Sequence, residues 1–211
     1  MSAPSSTAAP PKNWPSSVTY LTKPHIPPHL AASAIQISTP GPYVTITPLP
    51  KTPSTLVRIT PITTPCHPAH GQAGLFASTA LGPDSFILFY LGAVHDSSTT
   101  DPTSDYDLSL DRELDLSVDA TRYGNEARFI NDYRGVRAEG PNAEFRDCVV
   151  QVATGRWERR IGVFVLSRGR GKGGRALGIK KGEEIVVSYG KGFWDARRVE
   201  ADVGAVADGV S

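Results

Sequence analysis

The sequence predicts a mainly β fold, and its local patterns support that class. From Gly74 onward, short apolar or alternating runs are separated by turn residues, which is typical of short strands. The segment Gly124–Asn131 is the single good helix candidate, and it is short. All but three of the 18 prolines precede residue 69, which disfavours regular strand ladders there. The β-rich domain is therefore expected in the remainder of the chain.

The predicted strands follow one another at short intervals. Phe86–Leu91 is an apolar run of strand length that ends at Gly92, which predicts a buried strand. Two pairs of runs are each separated by turn residues, which suits hairpins. These pairs and a final strand are predicted at Asp107–Leu110 with Leu114–Val118, at Cys148–Ala153 with Arg160–Leu166, and at Glu184–Tyr189.

The proline-rich part divides into two segments. Residues 1–34 are rich in proline, serine and threonine without a periodic apolar face, so we predict a disordered tail. Residues 35–69 contain short alternating patches between prolines. Either an extended linker or edge strands that lean on the main domain would fit those patches, because proline is tolerated at sheet edges.

Composition excludes several classes of protein. The chain has 211 residues, 39% of them hydrophobic, and a formal net charge of +1. That composition argues against a disordered or collagen-like chain, and the charge argues against electrostatic binding of nucleic acid. No apolar run is long enough for a membrane span, and the N-terminal stretch MSAPSSTAAPPK has no apolar segment that a signal peptide could use. Two cysteines cannot form a disulfide framework. We expect a monomer in the nucleus or cytoplasm, neither secreted nor bound to membranes.

Five sequence motifs stand in a fixed order along the chain. They are Gly74-Leu-Phe-Ala77, Phe89-Tyr-Leu-Gly92, the segment Asp119–Asn131 (DATRYGNEARFIN), Pro141-Asn142, and Gly182-Glu-Glu-Ile185 with Ser188-Tyr-Gly190. Each alone would be unremarkable as a loop or a strand end. Their order and spacing together resemble the SET-domain protein-lysine methyltransferases over about residues 70–195.

This resemblance implies a SET-type fold of small curved sheets with a knot-like C-terminal substructure and few short helices. It implies a SET domain over 70–195 and a C-terminal tail over 196–211. It also implies that S-adenosyl-L-methionine is the cofactor, and that Tyr189 is catalytic while Tyr90 lines the channel of the substrate lysine. The cofactor-binding residues that it implies are Gly74, Leu75, Phe76, Arg128, Phe129, Asn131, Asp132 and Trp194.

The chemistry of methyl transfer suits these residue types. The methyl group of a sulfonium is already activated, so the enzyme has mainly to hold a deprotonated amine in line with it. An aromatic, poorly hydrated channel lowers the pKa of a lysine amine that enters it. The hydroxyl of Tyr189 could accept weak C–H···O contacts from the methyl group. Phe193 or Trp194 could stack on adenine, or the pair could close the core.

The sequence departs from the family pattern at several positions. The usual Asn-His-Ser is here Asn131-Asp132-Tyr133, and the first glycine of the cofactor loop is Gln72. No cysteine trio follows Tyr189, and the motif at 66–70 (CHPAH) offers at most three ligands, so we expect no metal. Residues 167–178 resemble the start of a histone H4 tail, which suits either a solvated basic loop or a pseudosubstrate.

Two functions therefore compete at this point. The first is an S-adenosylmethionine-dependent protein-lysine N-methyltransferase that acts on a histone tail or on another protein. The second is a catalytically silent SET-like module that binds a peptide or a chromatin partner. Asp132 keeps the second function open, whereas the presence of Tyr189 and Tyr90 favours the enzyme.

Overall fold

The computed structural model describes residues 8–167 and 178–190. Short 3-10 helices cover Ser97–Thr99 and Glu126–Phe129. The strands, numbered in chain order, are β1 (Thr19–Tyr20), β2 (Gln36–Ile37), β3 (Val44–Ile46), β4 (Val57–Pro61), β5 (Ala73–Ala77), β6 (Phe86–Tyr90), β7 (Ala93–His95), β8 (Asp107–Asp111), β9 (Leu116–Asp119), β10 (Tyr123–Gly124), β11 (Asn131–Asp132), β12 (Ala143–Ala153), β13 (Arg156–Val165) and β14 (Val186–Val187). The fold is mainly β, as predicted.

The long antiparallel hairpin of β12 and β13 organises the largest sheet. Its turn lies at Thr154-Gly155, where Gly155 has a φ of +69°, a conformation that favours glycine. Strand β6 and strand β2 both pair with β13, and β3 pairs with β12. The hairpin prediction is therefore confirmed, although both strands are longer than the apolar runs alone indicate.

Four smaller sheets surround this hairpin. Strands β4 and β5 pair antiparallel, and β8 pairs with β9, which also pairs with β7. Two further pairs are parallel and join segments that are distant in sequence: β1 with β10, and β11 with β14. The parallel pair of β11 and β14 is called the crossing below. The small curved sheets are those of a SET-type fold.

The N-terminal segment differs from its prediction. Residues 8–34 are not a disordered tail, because β1 pairs with β10 and the side chains of Tyr20 and Leu21 are 4% and 3% exposed. Trp14 and Leu30 also pack against the main hydrophobic core. The segment therefore gains order from tertiary contacts, although its own sequence lacks a periodic apolar face.

Residues 35–69 supply edge strands rather than an extended linker. Strand β2 pairs with the start of β13, β3 runs along β12, and β4 pairs with the strand that carries Gly74.

Two predictions for later parts of the chain were less accurate. The predicted strand Glu184–Tyr189 is reduced to β14, and the helix candidate Gly124–Asn131 forms a 3-10 helix over Glu126–Phe129.

The main core lies between these sheets. Its most buried members include Leu75, Ile87, Val163 and Ile185, each at most 2% exposed.

Within the described ranges, no helix has the length and apolar character that crossing a membrane would require.

Candidate active site

One buried asparagine holds β14 and the residues just before it in place. Asn142, which follows Pro141 in the predicted motif, is 6% exposed. Its backbone N–H donates to the carbonyl of Val186 at 3.1 Å, and its side-chain oxygen accepts from the backbone N–H of Val186 at 2.9 Å. Its side-chain amide donates to the carbonyl of Glu184 at 2.7 Å. These bonds hold the segment before Tyr189 against the residue that precedes β12.

Tyr189 is anchored at both its backbone and its hydroxyl. Its backbone N–H donates to the carboxylate of Asp132 at 2.8 Å, and its hydroxyl donates to the carbonyl of Ile130 at 2.7 Å. Burial, with the nearby Tyr106 hydroxyl and the carboxylates of Asp132 and Glu184, raises the pKa of Tyr189 above its ordinary value. The phenol therefore stays protonated at neutral pH, and its oxygen keeps lone pairs that can accept a hydrogen bond.

Asp132 occupies the position where the family pattern has histidine, and its side chain has a structural role here. Its carboxylate is 5% exposed and accepts from the backbone N–H and the guanidinium of Arg134, each at 2.8 Å. It also accepts from the backbone N–H of Tyr189, so one buried carboxylate connects β11 to the residue beyond β14. Although an aspartate stands where the family pattern has histidine, its side chain still links the two segments of the crossing.

Tyr90 lies at the end of β6 and is 6% exposed. Its hydroxyl donates to the backbone carbonyl of Tyr106 at 2.6 Å, and its ring packs edge-on against Phe145 at 5.5 Å. Burial, together with the neighbouring Tyr189, raises the pKa of Tyr90 well above its ordinary value. Tyr90 and Tyr189 are thus both neutral phenols whose protons are directed at backbone carbonyls.

Two neighbouring cavities share a wall at these residues. The larger cavity has a volume of about 530 Å³, and Phe129, Asn131 and Asp132 are among its lining residues. The smaller cavity has a volume of about 300 Å³ and includes Tyr90 in its lining. Both cavities are lined by Asp105, Tyr106, Arg128 and Tyr189. Tyr189 therefore lies at the boundary between the two spaces.

Arg128 and Tyr106 both belong to that shared wall and lie against each other. The Nε of Arg128 donates to the carbonyl of Ala120 at 3.0 Å, which fixes the side chain. Its guanidinium lies 4.4 Å from the ring centre of Tyr106 and 5.2 Å from that of Phe129, within the range of cation–π contacts. Tyr106 is a site residue that the sequence reasoning missed. It lies just before β8, and no motif marks it.

The predicted cofactor loop lies beside the larger cavity, but its three predicted residues are not among the lining residues. Gln72 and Ala73 line the cavity instead. Leu75 is fully buried in the core, and Phe76 is half-buried. A Cβ on Gly74 would lie 2.6 Å from a carboxylate oxygen of Glu184. In this structure the missing side chain at Gly74 therefore makes room for the Glu184 carboxylate.

Glu184 connects the larger cavity to the segment before β5. One carboxylate oxygen accepts from the amide of Asn131 at 2.9 Å, and the other lies 3.0 Å from Nε2 of His67. Both His67 and Glu184 have side chains about one-tenth exposed. Sequence reasoning considered His67 only as part of a weak metal motif, whereas the structure places it against Glu184 and in the cavity lining.

The N-terminal segment also reaches this cavity. The ring of Trp14 packs edge-on against Phe129 at 5.6 Å and against Tyr20 at 5.0 Å, and Pro15 is a lining residue. Phe193, Trp194 and residues 168–177 of the glycine-rich segment lie outside the described residues, as does the predicted C-terminal tail.

Comparison with known proteins supports the resemblance on sequence. No protein-family profile matches the chain. Over 127 residues, the chain is 28% identical to the histone-lysine N-methyltransferase ASHH3 of Arabidopsis thaliana. The match covers 56% of this chain and 29% of that protein, so the chain spans less than a third of the relative's length. The predicted resemblance to SET-domain lysine methyltransferases is confirmed at the level of the family.

Solved structures show partial likeness. One is the Chaetomium thermophilum polycomb repressive complex 2 in an autoinhibited conformation bound to S-adenosylmethionine, at 23% identity and a TM-score of 0.47. The overlap covers 71% of this chain and 17% of that chain. A crystal structure of the same complex gives 23% identity and a TM-score of 0.46, over 65% of this chain and 16% of that one. Because the overlaps cover so little of those chains, they indicate neither the substrate nor the activity of this chain.

Proposed function

We propose that the chain is an S-adenosylmethionine-dependent protein-lysine N-methyltransferase. The observation that carries the proposal is the pair of cavities that meet at Tyr189, Tyr106 and Arg128. One cavity suits a large polar cofactor and the other suits an extended side chain with an apolar stem. An enzyme that transfers a group between two such ligands needs them to approach from different sides and meet at a narrow boundary.

The larger cavity fits S-adenosylmethionine in size and chemistry. Its volume of about 530 Å³ lies within the range of ordinary ligand sites. It combines the cationic Arg128 with the carboxylate of Asp132, which suits a ligand that bears charges of both signs. Phe129 and Pro15 offer apolar surface for a base. When bound there, the cofactor would supply an activated methyl group on a sulfonium.

The smaller cavity fits the side chain of a lysine. Tyr90, Phe145 and Ile130 give it apolar and aromatic walls for the methylene stem. Asp105 and Asp107 place carboxylates in the same lining, which attract a basic peptide. Desolvation between the rings favours the neutral amine, which is the nucleophilic form of lysine.

The tyrosines position the amine and do not remove its proton. The pKa values of Tyr90 and Tyr189 are both raised, so neither phenol ionises at neutral pH to act as a base. Because each hydroxyl proton is already donated to a backbone carbonyl, each oxygen can only accept from the amine or from a polarised C–H group. The amine proton would therefore leave to solvent as the lysine enters the channel.

The contacts of Asp132 favour the enzyme over a silent binding module. The backbone of Tyr189 is bonded to Asp132, so the replacement of histidine leaves the catalytic candidate anchored. The substrate would be a protein lysine, on a histone tail or on another protein. A nuclear or cytoplasmic location is consistent with that class of substrate.

The decisive experiment compares Tyr189→Phe with the unchanged protein. Transfer of labelled methyl groups to mixed histones and to a cell extract would be measured beside calorimetric binding of S-adenosylmethionine. We expect kcat to fall about tenfold or more while cofactor binding changes little, because only a transition-state contact is lost. Tyr43→Phe, at a tyrosine outside both cavities, is the matched control. Cofactor binding with no transfer by the unchanged protein would favour the silent module.

A separate variant tests the cofactor assignment. Asn131→Ala removes the amide that bonds Glu184 at the edge of the larger cavity. We expect weaker binding of S-adenosylmethionine by about 1–3 kcal/mol, because the Glu184 carboxylate loses a partner and the cavity wall loses its order. Unchanged affinity in a folded variant would remove Asn131 from the binding site.

A further inference from the structure

Arg160 is a buried cation that the proposed methyl transfer does not use. It lies in β13 directly opposite Cys148 of β12 and is 7% exposed. Its neighbour Ile161 pairs with Tyr90, so the pleat directs Arg160 to the other face of the sheet from the lysine channel. Its environment is therefore separate from the candidate active site.

Two nitrogen atoms of this guanidinium lack partners. The Nη2 atom pairs with the carboxylate of Glu158, whereas Nε and Nη1 have no hydrogen-bond partner among the residues that the structure describes. Burial lowers the pKa of Arg160 to about 10, although Glu158 acts in the opposite sense. Unpaired buried donors are costly, so an acceptor supplied by a ligand would stabilise this arrangement.

Arg160 lines three cavities. One of about 470 Å³ has three acidic residues in its lining, which disfavour an anion, and another is only about 30 Å³ in volume: the acidic residues are Asp111, Glu113 and Asp147. The remaining cavity, of about 480 Å³, lies between the N-terminal segment and β13. Lys23 and Arg156 are exposed residues of the same lining, so three cations face one carboxylate, that of Glu158. His25 also contributes to the lining, but burial lowers its pKa, so it is neutral at neutral pH. Leu21, Ile26 and Ile35 form an apolar wall. The cavity thus combines an excess of positive charge with a surface for a small organic group.

We propose that this cavity binds a phosphate group, either as a free anion or as a phosphate monoester. A dianion matches the two uncompensated positive charges better than a monoanionic carboxylate does, and guanidinium groups bind phosphate oxygens with strong charge-assisted bonds. The argument rests only on Arg160 and its surroundings, so it does not depend on the methyltransferase assignment.

Nuclear magnetic resonance of arginine side chains gives a site-resolved test on the full chain. The Nε–H signal of Arg160 would be followed during titration with sodium phosphate, with O-phosphoserine and with sodium acetate, at constant ionic strength and near neutral pH. We expect saturable shifts with both phosphates and weaker binding of acetate. If the natural ligand is a monoester, the apolar wall should make O-phosphoserine bind more tightly than inorganic phosphate.

Variants at exposed positions keep the test independent of folding. Lys23→Gln combined with Arg156→Gln removes two cations from the rim and should weaken phosphate binding about tenfold or more. The matched control is Arg58→Gln, an exposed arginine of β4 that lines none of the three cavities that contain Arg160 and should leave binding unchanged. An Arg160 signal that does not respond to either phosphate would overturn the proposal, as would acetate binding as tightly as phosphate.

Discussion

The N-terminal segment and the C-terminal crossing both border the larger cavity, but they are held by different forces. In the crossing, polar side chains bind backbone groups: Asn142 bonds to Glu184 and Val186, and Asp132 of β11 accepts from the backbone N–H of Tyr189. In the N-terminal segment, Trp14, Tyr20 and Leu21 contribute mainly apolar and aromatic contacts.

That difference explains why one region carries sequence motifs and the other does not. A buried hydrogen-bond network needs particular groups at particular positions, since an unmatched group is costly. Apolar packing accepts many sequences of similar volume, so it leaves no fixed pattern. The first region should therefore be sensitive to single polar substitutions, and the second should be sensitive to loss of buried volume.

The largest expected effect is on stability, from removal of residues 1–34. Burial of Tyr20 and Leu21 alone is expected to contribute ~3–6 kcal/mol to the free energy of unfolding. The truncated chain should therefore unfold at a much lower denaturant concentration. The measurement is chemical denaturation followed by tryptophan fluorescence and circular dichroism.

A matched pair of leucine variants separates the loss of buried contacts from other effects of truncation. Leu21→Ala creates a cavity at a site that is 3% exposed and should cost about 2–5 kcal/mol. Leu49→Ala changes a leucine that is 56% exposed and should cost under about 0.5 kcal/mol. If both variants and the truncated chain are as stable as the unchanged protein, the N-terminal segment does not belong to the folded domain.

The crossing is tested by Asp132→Ala. Loss of the carboxylate removes an acceptor of the backbone N–H of Tyr189 and one partner of Arg134, which we expect to cost about 1–3 kcal/mol. The proposed activity should also fall, because the position of Tyr189 loosens. Denaturation and methyl transfer are measured on the same preparation.

Asp132→Asn is the control for this change. It keeps one acceptor oxygen but loses the charge that faces Arg134, so its effect should lie between those of the unchanged protein and Asp132→Ala. An alanine variant that retains full stability and full activity would show that the carboxylate does not anchor Tyr189.

A smaller effect is expected where the N-terminal segment meets the 3-10 helix that precedes β11. Glu126 is 2% exposed, and its carboxylate accepts from the hydroxyl of Tyr20 at 3.2 Å and from the backbone N–H of Ser54 at 2.7 Å. Tyr20→Phe removes one of these bonds and keeps the ring, so we expect a loss of about 0.5–1.5 kcal/mol in unfolding free energy. A loss as large as that of Leu21→Ala would mean that the bond, and not packing, holds the segment.

The motifs allowed much of the fold and part of the site to be predicted. The β class, the long hairpin and the family resemblance followed from alternation, turn residues and motif order. Tyr189, Tyr90, Arg128 and Asn131 were named because motifs mark them. Their meeting around two adjoining cavities depends on the crossing of β11 and β14, which no local pattern encodes.

Other features could not be derived from the chain alone. Tyr106 lines both cavities, yet it lies in a loop without a motif. His67 stood in a metal-like spacing, and only the fold brings it to Glu184, which is 117 residues away. The order of residues 8–34 comes from partners that are distant in sequence, such as β10. Tertiary contacts decide these cases, so local propensity predicts them poorly.

The smallest expected effect concerns an ionic contact that belongs to neither region. His95, in β7, lies 2.9 Å from the carboxylate of Asp107, which lines the smaller cavity. Burial lowers the pKa of His95, but hydrogen bonds to Asp107 and to the carbonyl of Asp96 outweigh burial, and the net pKa lies above its ordinary value. A raised pKa in the folded state means that folding favours the protonated imidazole.

The sign of the pH dependence follows from that shift. The stabilisation is fully present below the ordinary histidine pKa of about 6.5 and is lost as the pH rises through the higher pKa of the folded state. Relative to His95→Asn, the unchanged protein should therefore be more stable near pH 5.5 than near pH 8.5. Melting temperatures of both proteins at these two pH values measure the difference, with His29→Asn, at an exposed position, as the control. A stability difference that grows towards high pH would mean that His95 folds in its neutral form, so that no imidazolium would face Asp107 in the lining of the smaller cavity.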